Sequence, residues 1–331
     1  MFAQTQTMTA WRQSRYGGAD ALAPVSVPIP EPGRGEVLVQ VEVCALNAGD
    51  VRLMRGDPWL VRLAFGLRRP RQGVRGMDAA GRIVTVGEGV EASRVGEAIV
   101  VELPGGGGLA PYALAPIARI VQRPVGVDAA AAACLPIAAG TAVQALDLAG
   151  VTAGDRVLVL GASGGVGTFA VQLAAGRGAE VDALCGEPNR ALVEELGAAR
   201  TWDYRTTALD ALPGGYDAVI DIAGTAPLWL LRRLLAPRGV LVMVAGTGGR
   251  VLGPIPRMLG AALLSIGSRR RLRALAAVAK PEVLADLLDR LERGEIRAVI
   301  EAEHPLAEAG GALARQDSGH VVGKLVVRVG E

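Results

Sequence analysis

Aromatic residues make up 3% of this 331-residue chain, which holds two histidines and three cysteines. With so few rings, its cores must be packed by alanine, valine, leucine and glycine, since half of all residues are hydrophobic. Cys44, Cys134 and Cys185 are far apart and show no pairing pattern, as in a reducing compartment, and a cytoplasmic location is expected. A zinc site needs three or four converging Cys, His or carboxylate ligands. His304 and His320, both near the C-terminal end, do not supply such a set, so no metal is expected. The net charge of +2 exerts no general pull on nucleic acid or membrane, and neither partner is expected. The opening Met1-Phe-Ala-Gln-Thr-Gln-Thr7 has no basic start followed by an apolar run, so a signal peptide is not expected. The longest apolar stretch, 129–150, contains Pro136, Gln144 and Asp147 and reads as a buried helix rather than a membrane span.

What the chain does have is glycine, 45 residues of it, and one cluster stands in a telling place. Val157 to Leu160 is a short unbroken apolar run, the mark of a strand buried on both faces. Gly161-Ala-Ser-Gly-Gly-Val-Gly167 then turns the chain, and Thr168 to Ala175 has helical composition. Strand, glycine turn and helix N-terminus together form an anion site, because free backbone N–H groups and the helix dipole both favour negative charge. The match to G-x-G-x-x-G is imperfect: Ala162 stands at the first glycine, with Gly164 and Gly167 at the other two. The same letters fit a hydrolase G-x-S-x-G around Ser163, but the adjoining Val166-Gly167 favours a cofactor loop.

Around this stretch the length suits two domains or one large one. The N-terminal third reads as β, with strands at 37–43, 80–87 and 98–102 between Pro- and Gly-rich turns, and a flexible loop at 104–108. From about residue 124 strands and helices alternate, as in a parallel sheet with crossover helices. Strands are expected at 180–184, 199–203, 218–222 and 239–244, with helices at 189–196 and 228–235. An amphipathic helix follows at 281–293, with Pro281 in its first turn, and a last strand at 323–329.

Several motifs in this order resemble the medium-chain dehydrogenase/reductase superfamily, in its zinc-free quinone oxidoreductase branch. They are Tyr16-Gly-Gly, Pro32-Gly-Arg-Gly-Glu-Val37, Leu46-Asn-Ala-Gly-Asp-Val51 with Arg55-Gly56, and Gly76-Met-Asp-Ala-Ala-Gly81. Leu135-Pro-Ile-Ala-Ala-Gly-Thr-Ala142, the glycine turn and Gly319-His-Val-Val-Gly-Lys324 continue the series. Leu67-Arg-Arg-Pro-Arg71 and Arg269-Arg-Arg-Leu-Arg273 look like the reticulon-interacting-protein subgroup. The resemblance implies an α/β fold: a Rossmann doubly wound parallel sheet over 124–270, inserted into a chaperonin-10-like (GroES-like) β barrel made of 1–123 and a return at 271–331. It places the active site in a cleft between the two and implies a homodimer.

The same resemblance supplies site residues. Asn47 and Met77 stand where zinc relatives carry a cysteine and a histidine ligand, so hydride delivery to a conjugated C=C or a quinone is implied instead. There the substrate's own conjugation spreads the developing charge. Asn47 is implied to contact nicotinamide or substrate, and Arg52 is the second candidate catalytic residue. Asp50 reads as holding its loop. Tyr112, His320 and Lys324 are weaker candidates, and solvent can supply the proton. Thr141, Ser163, Gly164, Gly165, Val166, Gly186, Tyr204, Ala223 and Gly246 are implied to line the nucleotide. Near the end of the second strand stands Leu184, which cannot grip a ribose 2′-hydroxyl as an acidic residue does. NADPH is therefore expected over NADH, with Arg190 reaching the 2′-phosphate. The basic runs at 67–75 and 269–273 read as a solvated surface, or as a receiver of phosphate from coenzyme A or a carrier-protein arm. A carrier-tethered enoyl reductase and a low-turnover NADPH sensor are the alternative functions.

Overall fold

The computed structural model describes residues 6–244 and 249–330. Gly246 lies outside the described residues. The chain forms two compact units, one of Met1–Ile137 with Ala279–Glu331 and the other of Ala138–Val278.

The first unit opens with an antiparallel pair, β1 (Thr7–Gln13) and β2 (Leu22–Pro28). β3 (Glu36–Ala45) leads into two short helices, α1 (Ala48–Arg55) and α2 (Val61–Phe65). β4 (Asp78–Val86), β5 (Ala98–Glu102), β6 (Tyr112–Pro116), β7 (Ile120–Gln122) and α3 (Ala129–Ala133) complete its N-terminal part. Val37, Val39 and Val41 of β3 alternate inward against Ile83, Ile99 and Val101, so the period of two buries one face in an aliphatic core.

The second unit begins with α4 (Gly140–Ala149). Next come β8 (Arg156–Leu160), α5 (Gly165–Gly176), β9 (Glu180–Cys185), α6 (Arg190–Glu195) and β10 (Arg200–Asp203). β11 (Tyr216–Asp221), α7 (Leu228–Leu234), β12 (Leu235–Met243), α8 (Ile255–Ser265) and β13 (Arg271–Ala274) follow. The six strands pair in the order β10-β9-β8-β11-β12-β13, and every pairing is parallel. The chain works outward from β8 to β10, then crosses back to β11. That reversal leaves a switch point between β8 and β11, where open α/β sheets bind their ligands. Val157 to Leu160 are buried, as their unbroken apolar run requires of a central strand.

The return to the first unit consists of α9 (Pro281–Glu292), β14 (Ile300–Pro305), α10 (Ala309–Asp317) and β15 (Lys324–Arg328). β15 pairs antiparallel with β3, bringing Val326 opposite Ala45, and parallel with β14. Leu325 and Val327 then share a core with Cys44, Leu46, Leu109 and Leu313.

Three sequence expectations shift. The apolar stretch 129–150 is not one helix: a π-helical turn at Leu135–Ala139 separates α3 from α4, and Pro136 cannot donate to a continuing ladder. The division between units falls in this turn rather than at residue 123, because α3 packs on β3 and β4. The second boundary moves from 270 to 278, since β13 extends the parallel sheet beside β12.

Candidate active site

In the second unit the glycine turn sits at the C-terminal end of β8. Gly161 has φ +83°, a left-handed conformation that suits glycine. The glycine required by the turn is therefore one place before the motif's first position, and buried Ala162 is tolerated there. Gly167 is closer still: a Cβ on it would lie 2.1 Å from the Gly161 carbonyl oxygen. Only glycine lets the first turn of α5 approach the end of β8 so tightly. Gly164 caps α5 in extended conformation, and a Cβ there would meet its nearest neighbour, Gly161 O, at an ordinary 3.5 Å. A diphosphate suits this cradle, because the first amides of α5 have no acceptors within the helix.

The other residues of this unit expected to line the nucleotide are placed by the sheet. Ser163 lies in the turn, where its Oγ accepts from Asn189 Nδ2 at 3.2 Å. Ala223 follows β11, and a Cβ on Gly161 would lie 3.3 Å from its amide nitrogen. Gly186 follows β9 and Tyr204 follows β10, neighbours because Asp203 pairs with Cys185 in the parallel register. Thr141 is buried near the start of α4. Ser163 to Val166, Gly186, Tyr204 and Ala223 thus share one edge of the sheet.

Arg190 does not stand free. Its Nε donates to Thr201 Oγ1 at 2.9 Å, and its Nη1 lies 3.2 Å from Glu187 Oε2. Arg205, which sequence reasoning missed, is better placed. Its guanidinium covers the exposed Tyr204 ring at 5.1 Å, and its Nη1 lies 3.5 Å from where a Gly186 Cβ would be. Asp203 makes the turn by accepting the Arg205 amide at 3.1 Å. The signal was present in a basic residue directly after Tyr204.

In the first unit, the predicted residues meet partners far away in sequence. Asn47 ends the β3 segment and starts α1. Asp50 accepts the Asn47 amide at 2.9 Å and the Gly76 amide at 2.9 Å, holding its own loop to the Gly76 motif. Burial raises the Asp50 carboxyl, and those two amide bonds oppose the rise. The Asn47 side chain is engaged at both ends. Its Oδ1 accepts from Lys324 Nζ at 2.6 Å, and its Nδ2 donates to Asp78 Oδ2 at 2.9 Å. A donor-only ammonium on one side and a carboxylate on the other settle which end is oxygen. Lys324, only 2% exposed, also donates to Leu46 O at 2.8 Å and stands 3.8 Å from Asp78. Lys324 is therefore held in the interior rather than solvated.

Asp78 is wholly buried, and its Oδ1 has no hydrogen-bond partner. Burial pushes its carboxyl up to about 7, with Lys324 and the Asn47 amide opposing the rise. The sequence marked residue 78 only as part of a motif. Arg52 is exposed on α1. Tyr112 is half-buried on β6, and His320 is exposed with φ 57°.

The two positions where zinc relatives of the resembled superfamily carry a cysteine and a histidine hold other chemistry here. Asn47 is spent on Lys324 and Asp78, and Met77 offers a thioether in place of an imidazole. Among the described residues, no three His, Cys, Asp or Glu gather as ligands. Cys44 is buried and its thiol raised, while Cys134 is pushed up to about 12 and Cys185 to about 11 by burial. All three act as packing residues rather than thiolates.

Residues 33–125 match the alcohol dehydrogenase GroES-like domain family, and residues 196–327 match the zinc-binding dehydrogenase family. The chain is similar to a chloroplast envelope quinone oxidoreductase homolog of Arabidopsis thaliana, with 36% identity over 97% of this chain and 98% of that protein. It is 29% identical to the chloroplastic NADPH-dependent alkenal/one oxidoreductase of the same plant, over 97% of this chain and 79% of the relative. Among solved structures it is similar to the quinone oxidoreductase from Coxiella burnetii, with a TM-score of 0.88 and 28% identity, covering 98% of this chain and 100% of that one.

Proposed function

Because the chain belongs to the quinone oxidoreductase branch of the medium-chain dehydrogenase/reductase superfamily, we propose that it reduces a conjugated carbonyl compound or a quinone, with NADPH and without zinc. The observation that carries the reading is the cradle at β8 and α5, where Gly167 fits only because it lacks a Cβ. When bound in that cradle, a nicotinamide nucleotide would supply the hydride. The chain's own part is to hold the diphosphate on backbone amides and to position the Asn47 loop through Asp50, Asp78 and Lys324. A conjugated acceptor needs no Lewis acid, since its π system carries the developing charge and water can deliver the proton.

Support for NADPH over NADH comes from the sheet edge that binds the adenosine end. Among the described residues, Glu187 at the end of β9 is paired with Arg190, and the Arg205 guanidinium, without a carboxylate partner among them, faces Gly186. The test is oxidation of NADPH, followed by its absorbance, with a panel of 2-alkenals, enones and quinones. Turnover of at least one acceptor class is expected from protein washed with a zinc chelator. Binding of NADPH without consumption by any acceptor would leave a sensor instead and defeat the proposal.

A further inference from the structure

Both basic runs spend some guanidinium groups on backbone carbonyls, Arg71 on Ala64 O at 3.4 Å and buried Arg75 on Gln72 O among them, but they differ in what the remainder faces. In the run at 269–273, Arg270 donates to Ala236 O at 3.3 Å and Arg273 to Leu148 O at 3.3 Å. The run at 67–75 instead opens onto a cavity of about 510 Å³ in the first unit, lined by Arg12, Arg68, Arg69 and Arg71 with Leu67 and Pro70. None of these four arginines has a carboxylate partner among the described residues, whereas nearby Arg15 is already paired with Asp20 at 2.9 Å. Four exposed guanidinium groups lining one cavity give it a positive potential that favours an anion.

The walls are fixed in advance. Arg71 N donates to Phe65 O at 2.8 Å, closing the 65–71 loop, and Tyr16 OH donates to Gly66 O at 2.5 Å. A Cβ on Gly66 would lie 2.1 Å from Arg69 O, so the loop folds tightly on itself. Beneath it the buried Gln13 amide donates to Arg15 O at 2.9 Å and Met54 O at 3.0 Å. The backbone that carries the arginines is therefore held before a ligand arrives, and the exposed side chains order on binding.

We infer that this cavity binds the phosphate or diphosphate group of an organic ester, separately from the nicotinamide cofactor. Arginine forks match phosphoryl oxygens two at a time, and four of them suit a group carrying at least two negative charges better than a single carboxylate. The volume falls in the range of small-molecule sites and exceeds what a bare phosphate fills. Leu67 and Pro70 give the body of the ester an apolar surface. The phosphorylated end of a thioester-carrying nucleotide has this chemistry, and so does a free phosphometabolite.

The test is calorimetric titration of the full chain, already saturated with NADPH, using pyrophosphate and 3′-phosphoadenosine 5′-phosphate as probes. One saturable site per chain is expected, with affinity falling as salt rises. The Arg68→Ala/Arg69→Ala double variant should weaken the probes by about tenfold or more while leaving the affinity for NADPH unchanged. Both residues are exposed, so loss of folding is not the expected consequence. Tighter binding of the nucleotide probe would identify a nucleotide ester as the source. Equal binding of both would mean that the phosphoryl group alone is read, and either result supports the site. Absence of saturable binding at about 1 mM would overturn it. So would an unchanged affinity in the double variant, or competition by added NADPH. If the chain failed to bind NADPH at all, the functional reading would fall, and the same titration without cofactor would still decide this one.

Discussion

Asp78 concentrates the chemistry of the first unit in one side chain. A carboxyl moved from 3.8 to about 7 corresponds to roughly 4 kcal/mol at about 1.4 kcal/mol per pH unit. The sign follows from the raised value: below pH 4 the group is neutral in both folded and unfolded chains. Between pH 4 and 7 the unfolded chain ionises first, so stability contributed by Asp78 is lost as pH rises through that window. Denaturant titrations at pH 4 to 8 should show a smaller fall in Asp78→Asn than in the parent, and equal slopes would refute the assignment. Removing the opposite charge acts the other way. Lys324→Met strips donors from Asn47 Oδ1 and Leu46 O and leaves Asp78 uncompensated, so a loss of roughly 3 kcal/mol is expected. The loss should shrink in the Asp78→Asn background; a purely additive double-mutant cycle would show that the two groups are not coupled. At the adenosine end, Arg205→Ala should weaken NADPH by about tenfold and leave NADH unaffected. A parallel loss for both cofactors would remove Arg205 from phosphate recognition.

The glycine turn between β8 and α5 shows how an element combines two demands that can be separated by experiment. Gly167 is needed for packing, because its Cβ would lie 2.1 Å from the Gly161 carbonyl oxygen. Gly167→Ala should therefore cost about 1–3 kcal/mol of stability and abolish measurable NADPH binding together. Gly164→Ala meets only an ordinary 3.5 Å contact and should fold with its thermal midpoint nearly unchanged. Its added methyl stands at the cap of α5, so the affinity for NADPH should still drop. Thermal unfolding and cofactor titration on the two variants check the contrast, and equal behaviour of both would contradict it. The turn was readable in advance from an apolar run, clustered glycines and a helical segment. The identity of the glycine that makes the bend was not, since Gly161 and Ala162 are distinguished only by the backbone angle.

Across the whole molecule, the first unit is built from both ends of the chain. β15 lies beside β3, and Lys324 reaches Leu46 and Asn47 from it. A chain ending at Val322 keeps every residue of the second unit and all of 1–137. It nevertheless loses the strand that covers β3 and the cation beside Asp78. Limited proteolysis should then cut within 1–137 while 138–278 stays protected. Protection of both segments would mean that β15 is dispensable to the fold.

The sequence by itself determined the alternation of strand and helix after residue 124, the central strand and its glycine turn, and the family to which the chain belongs. These are local patterns: a run of apolar side chains or a spacing of glycines carries its meaning within a few residues. Tertiary structure alone decided that Asn47, Asp78 and Lys324 form one buried chain of hydrogen bonds. It also decided that Arg190 has a carboxylate partner while Arg205 has none among the described residues, and that the arginines of 67–71 line a cavity. Such outcomes depend on strand order and register, which bring together side chains hundreds of residues apart. No local pattern records which charged groups will find a partner when those strands pair.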